Sequence, residues 1–243
     1  DEMNLARVEY YCSDFLSRLE SRPRSDQVDD ERLRKDSEIE LEIPMPGGAS
    51  APRVFPGYNL LFAGTMNEDE STQSLSEKVV DRANVLRFPA PQKIRVAKAA
   101  DGLPAPRALT RTRWSRWVRQ PEHLGSERRL VEDYIESLVN LMSGLRRPFG
   151  HRLGLAMISY AANYPVLDGG HDPRVPMADQ VEMRLLPKLR GVDADAFDRE
   201  IRTLADFVGD DLSDSDLAKA IEDSLEVAKS GTGSFLWRGV TRT

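Results

Sequence analysis

Apolar positions along the chain change period several times, and each change predicts an element. Leu5, Val8, Cys12, Phe15, Leu16 and Leu19 recur at three- and four-residue steps, which predicts an amphipathic helix over residues 5–20 with Asn4 as its candidate cap. Residues 21–37 are dense in Arg, Asp, Glu and Lys, the pattern of a solvated loop or mobile segment. Ile39, Leu41 and Ile43 then alternate with Glu38, Glu40 and Glu42, a strand with one wet face. The Gly/Pro stretch from Pro44 to Pro52 predicts a turn, and Val54-Phe55 a returning hairpin arm. Tyr58 to Ala63 is nearly continuous in apolar residues, as expected of a strand covered on both faces.

Ser74 to Ala83 reads as a short helix with Leu75, Val79 and Val80 inward, and Ile94 with Val96 as a short strand beyond Pro89 and Pro91. Residues 97–124 mix Pro, Gly and Arg around Trp114 and Trp117 and read as a linker. From Glu127 onward the period is helical. One stripe runs through Leu130, Tyr134, Leu138 and Leu141, and others through Leu153 to Tyr160, Val181 to Leu186, Phe197 to Phe207 and Leu217 to Val227. The last has Ser213 as candidate cap with Asp216 three residues on. Short helices joined by short loops predict a small bundle, with the tail around Phe235 and Trp237 folding back as a strand or plug. The division expected is 1–96, a linker over 97–124, and a helical domain over 125–243.

Composition narrows the reading only modestly. With 243 residues, 40% apolar and 30% charged, the chain can bury a sizeable core. The formal charge of −6 opposes a whole-surface nucleic-acid field but allows a local basic patch. A single cysteine, Cys12, excludes an intrachain disulfide and sits among apolar helix positions, so it is expected in a core and not as a nucleophile. Three histidines and one cysteine, dispersed, argue against a structural zinc site. Without a membrane-length apolar run or a signal peptide, a cytoplasmic protein is expected.

The candidate chemistry lies at the start. Asp1 and Glu2 are a pair that can hold Mg2+ and activate a water, and Asn67, after Gly64-Thr65-Met66, can orient the same water because its amide both donates and accepts. A GxxxxGK loop followed by Ser or Thr is not found in the sequence, so the chain carries the second half of such a site. An acidic pair with no strand before it is not a natural beginning for a domain, which predicts a chain continuing upstream or a fragment.

Asp1-Glu2-Met3-Asn4 before a helix resembles the Walker B region of AAA+ ATPases. Gly64-Thr65-Met66-Asn67, with Asp69 and Ser71, resembles sensor 1 of the McrB-like branch, related to MoxR and dynein. Asp81 to Phe88 is similar to the arginine-bearing segment that follows, Phe149-Gly150-His151-Arg152 to the lid entry, and Asp179 to Gly191 to further lid segments. The sequence departs from that pattern at Leu5, where arginine is usual, and at Val85-Leu86-Arg87, where two or three arginines are.

This resemblance implies an α/β fold: a partial AAA+ core, a parallel sheet with flanking helices and an inserted β-hairpin, followed by an all-helical lid. It implies ATP or GTP hydrolysis with Mg2+ at the interfaces of a homo-oligomeric ring, commonly a hexamer, in a restriction or antiviral complex with DNA and a nuclease subunit as partners. Asp1 would hold Mg2+, Glu2 and Asn67 would serve the water, Thr65 and Arg152 would support the phosphates, and Arg87, with Arg82 second, would be the trans-acting finger. Lacking a phosphate loop, this chain alone is expected to be inactive. The alternative is a non-catalytic assembly or binding module on the same scaffold.

One stretch stands apart from the resemblance. Arg107, Arg111, Arg113, Arg116 and Arg119 surround Trp114 and Trp117. Such a stretch can stack and hold nucleic acid, or line a subunit contact, where Trp and Arg are enriched. The subunit contact is the preferred reading.

Overall fold

The computed structural model describes residues 1–23, 27, 29–41, 43–48, 50–57, 59–67, 75–89, 107–166 and 170–242. The chain forms two compact units, Asp1–Arg82 and Ala83–Thr243.

The first unit holds α1 (Val8–Glu20), α2 (Glu31–Asp36), β1 (Ile39–Glu40), β2 (Arg53–Val54) and α3 (Glu77–Val80). β1 and β2 pair antiparallel with Ile39 opposite Val54 and Glu40 opposite Arg53, and an Arg53–Glu40 ion pair of 2.9 Å lies across the register. The α2 turn forms inside the stretch read as a charged loop, because the Asp30 carboxylate accepts from the Arg32 and Leu33 amides at 2.9 and 3.2 Å and caps it. Asn4 does not cap α1. Its side chain donates instead to the Asn67 carbonyl at 2.6 Å.

The two-stranded antiparallel sheet is the only sheet among the described residues. The expected parallel-sheet AAA+ core followed by a helical lid is therefore corrected. The reason shows at Tyr58–Ala63, read as a strand covered on both faces. Leu60, Leu61 and Phe62 are 45%, 80% and 51% exposed, and the Leu60 amide bonds back to Gly57 in a turn. An apolar run becomes a buried strand only where neighbours take its backbone groups, and this run has no such neighbours among the described residues. The strand read at Ile94 and Val96 lies outside the described residues.

The second unit contains α4 (Arg111–Trp117), a 3-10 segment Pro121–Glu127, α5 (Arg128–Gly144), α6 (His151–Asn163), α7 (Arg174–Gln180), α8 (Asp198–Asp210) and α9 (Ser215–Ser230). Its core is built from helical stripes: Val131, Leu138 and Met142 of α5, Leu153, Met157 and Ala161 of α6, Ile201, Leu204 and Val208 of α8, and Leu217, Ile221 and Leu225 of α9. These fall at three-, four- and seven-residue steps and turn one face of each helix inward. α9 is capped by Asp214, whose carboxylate accepts from Leu217 N at 3.0 Å, while Ser213 takes a positive φ of 57° one residue earlier.

After α7 the helix changes pitch, to a π turn over Val181–Leu185 and a 3-10 turn over Leu186–Leu189. Pro187 explains it, since proline has no amide to give the carbonyl four residues back. That carbonyl, on Met183, accepts instead from Val85 N at 3.0 Å. The tail then closes the core. Phe235 exchanges backbone hydrogen bonds with Gly191 and Val192 at 2.9 and 2.7 Å, and the Phe235 and Trp237 side chains are fully enclosed. Arg87 donates to the Trp237 carbonyl at 2.6 Å.

Candidate docking surface

α4 sits inside the stretch read as a linker. The Thr110 side chain caps it by accepting from Arg113 N at 3.3 Å. No residue of the helix is buried, and Trp117 is 63% exposed. Arg113, Arg116 and Trp117 stand at i, i+3 and i+4 and so share one face. The Trp114 and Trp117 rings lie 6.3 Å apart. Between Arg107 and Pro121 there are five arginines and no acid, and Arg113 and Arg116 have no ion-pair partner among the described residues.

The helix is held firmly at its far end. Arg119 N donates to Asn163 Oδ1 at 2.7 Å, and Asn163 Nδ2 returns a bond to the Arg119 carbonyl at 2.8 Å. The 3-10 segment that follows buries Leu124 in the core. The anchored base thus presents the Trp117 ring to solvent, with Trp114 half-buried beside it and the Arg113 and Arg116 guanidinium groups exposed. Arginine beside an exposed tryptophan is the composition of binding hot spots. The arginines and tryptophans were legible in the sequence. The helix was not, although Thr110 before the Arg-Trp run is a capping signal, and nothing local pointed to Asn163.

The residues read as a hydrolytic site fall in both units. In the first, Glu2 N donates to Thr65 Oγ1 at 3.0 Å, Thr65 Oγ1 donates to the Asp1 carboxylate, and Met3 N donates to the Thr65 carbonyl at 2.9 Å. Asp1, Glu2 and Thr65 are thus brought together, all exposed, with Asn67 joined through Asn4. Arg82 pairs with Glu20 at 3.5 Å. In the second unit, Arg87 is spent on the tail carbonyl and Arg152 stands in the first turn of α6. Asp69 and Ser71 lie outside the described residues. Among the described residues no three His, Cys, Asp or Glu side chains are grouped to share a metal ion. No helix of the described residues is long and apolar enough to cross a membrane.

A second charged cluster surrounds the π turn. Arg242 reaches Glu182 at 3.2 Å and Asp214 at 2.8 Å, and Tyr160 donates to Asp179 at 3.0 Å. Burial pushes the Glu182 carboxyl up from its ordinary value, with Arg242 opposing it. Burial, with Asp179 beside it, also raises the Tyr160 phenol. This cluster joins the tail to the π turn and to the α9 cap, and α6 to α7.

Residues 110–230 match a family described as Domain of unknown function (DUF8727). No curated protein and no solved structure matches the chain. The matched segment starts at the α4 cap and runs to the end of α9. With no parallel sheet among the described residues, these findings overturn the resemblance to AAA+ ATPases and the McrB-like motor function drawn from it, together with its ATPase, GTPase and restriction-system readings. Four-residue segments such as Gly64-Thr65-Met66-Asn67 are short enough to recur by chance.

Proposed function

We propose that the chain is a protein-interaction module whose docking element is α4, and that its partner is an acidic protein surface. One observation carries this reading: a capped, anchored helix holds Trp117 63% exposed beside Arg113 and Arg116, which have no ion-pair partner among the described residues. Arginine and tryptophan together supply a hot spot, the ring giving area at little entropic cost and the guanidinium giving paired hydrogen bonds to carboxylates. The overall charge of −6 repels any polyanion outside the patch, so the contact is confined to α4 and suits a small acidic surface better than a long nucleic-acid strand.

Titration with a polyglutamate peptide, followed by calorimetry, tests the proposal against a single-stranded oligothymidylate of equal charge. The expected result is saturable polyglutamate binding that weakens with salt and is lost in Arg113→Glu/Arg116→Glu. Preference for the oligonucleotide would replace the protein partner with nucleic acid, and binding of neither would remove α4 from the docking role.

A further inference from the structure

We infer that the acidic surface belongs to a second copy of this chain, the outer face of its α8–α9 hairpin around Asp206 and Glu222. This inference rests on the docking role of α4 proposed above and names the partner for it.

α8 and α9 run antiparallel, and their outer face is a ladder of charge. Asp198 meets Lys229 at 2.7 Å on the first rung, and Arg202 meets Glu226 on the second. Those contacts hold the Asp198 carboxyl below the usual carboxylate range, the hydrogen bond from Lys229 first and that from Arg202 second. One helical turn further, the same spacing sets Asp206 against Glu222. The helices are still in contact beyond that rung, since a Cβ on Gly209 would lie 3.3 Å from Ala218 Cβ. The third rung therefore has two acids and no base. Neither Asp206 nor Glu222 has an ion-pair partner among the described residues.

The surroundings add to the imbalance. Lys219 is the one base between Thr203 and Ala228, against eight acids, of which Asp214 and Glu226 pair with Arg242 and Arg202. Asp210 and Asp223 are exposed beside the unpaired rung. One unit thus carries two complementary halves, arginines at α4 and carboxylates on α8–α9, and among the described residues no ion pair joins Arg113 or Arg116 to Asp206 or Glu222. A second copy satisfies both. Its α4 sets Arg113 and Arg116, one turn apart, over Asp206 and Glu222, with Trp117 covered at the hairpin surface. The contact is head-to-tail, so one end copy keeps a free α4 and the other a free hairpin until the array closes on itself.

Sedimentation velocity over a range of protein concentrations, at low and at physiological salt, tests this. The wild-type chain is expected to associate reversibly, less so as salt rises. Arg113→Glu/Arg116→Glu and Asp206→Lys/Glu222→Lys are each expected to weaken association about tenfold or more. An equimolar mixture of the two should restore it, because inverted α4 then meets inverted hairpin. Asp206→Asn/Glu222→Gln gives a milder variant, and thermal melting checks that each variant folds. A chain that binds polyglutamate but stays monomeric overturns this inference and leaves the docking reading standing. Failure of both overturns both, and a mixture that does not reassociate places the contact elsewhere.

Discussion

Arg242→Met isolates what the tail cation does. Methionine keeps the apolar stem and removes the charge. The Arg242 side chain is 47% exposed, but its partners Glu182 and Asp214 are only 12% and 14% exposed. Breaking a fully buried pair costs about 3–5 kcal/mol and an exposed one about 0–1 kcal/mol. A half-exposed cation over two enclosed carboxylates falls between, at about 2 kcal/mol. In a domain of this size that lowers the melting temperature by roughly 4–8 °C.

The pH dependence follows from Glu182. Burial raises its carboxyl above the ordinary value, so the folded state holds that proton more tightly than the unfolded chain. Its ionisation therefore lowers stability as pH rises from the ordinary Glu value through the raised one, and the loss vanishes on acidification. Without Arg242, which holds the carboxyl down, the raised value climbs further. The Arg242→Met deficit should then be largest at neutral pH and shrink as pH falls toward the ordinary Glu value. Adding Glu182→Gln should recover about half of it, because a neutral amide needs no counter-charge. Urea unfolding at several pH values, with the four members of the double-mutant cycle, measures all of this. A deficit that ignores both pH and Glu182→Gln would refute the reasoning and assign the loss to packing alone.

Three further outcomes are expected. Gly239 has φ of 87° and a Cβ there would lie 2.7 Å from the Arg87 carbonyl oxygen, so Gly239→Ala should cost about 1–3 kcal/mol in a thermal melt, and a neutral result would show that the tail turn can shift. Leu61→Asp should change stability by less than about 0.5 kcal/mol because Leu61 is 80% exposed, and a large loss on urea unfolding would mean that the segment is covered in solution. Trp237→Ala should cost about 3–5 kcal/mol, since the ring is fully enclosed in the core of the second unit; a loss below about 1 kcal/mol would show that the tail does not plug that core.

The helical half of the molecule was readable because its signal is local. Leu217, Ile221 and Leu225 face inward at four-residue steps and nothing distant is needed to place them. The same holds for the hairpin at Ile39 and Val54, where alternation and a Gly/Pro turn act together. The reading failed where burial depends on partners far along the chain. Leu60 to Ala63 has the composition of a central strand, yet strand formation needs neighbouring backbones that no local pattern supplies. The π turn was equally hidden, because Pro187 marks a break while the rescue of the Met183 carbonyl comes from Val85. In the candidate site, the arginines and tryptophans were visible, but that Arg113 and Arg116 find no ion-pair partner among the described residues is a property of the folded surface, and so is the Asp206–Glu222 rung.

Acrylamide quenching of Trp117 fluorescence, in a Trp114→Phe background, tests the docking claim most directly, because Trp237 is 1% exposed and adds little quenchable signal. The account predicts ready quenching in the dilute free chain and strong protection once polyglutamate saturates it. Protection already present in the dilute free chain, or quenching unchanged at saturation, would contradict it.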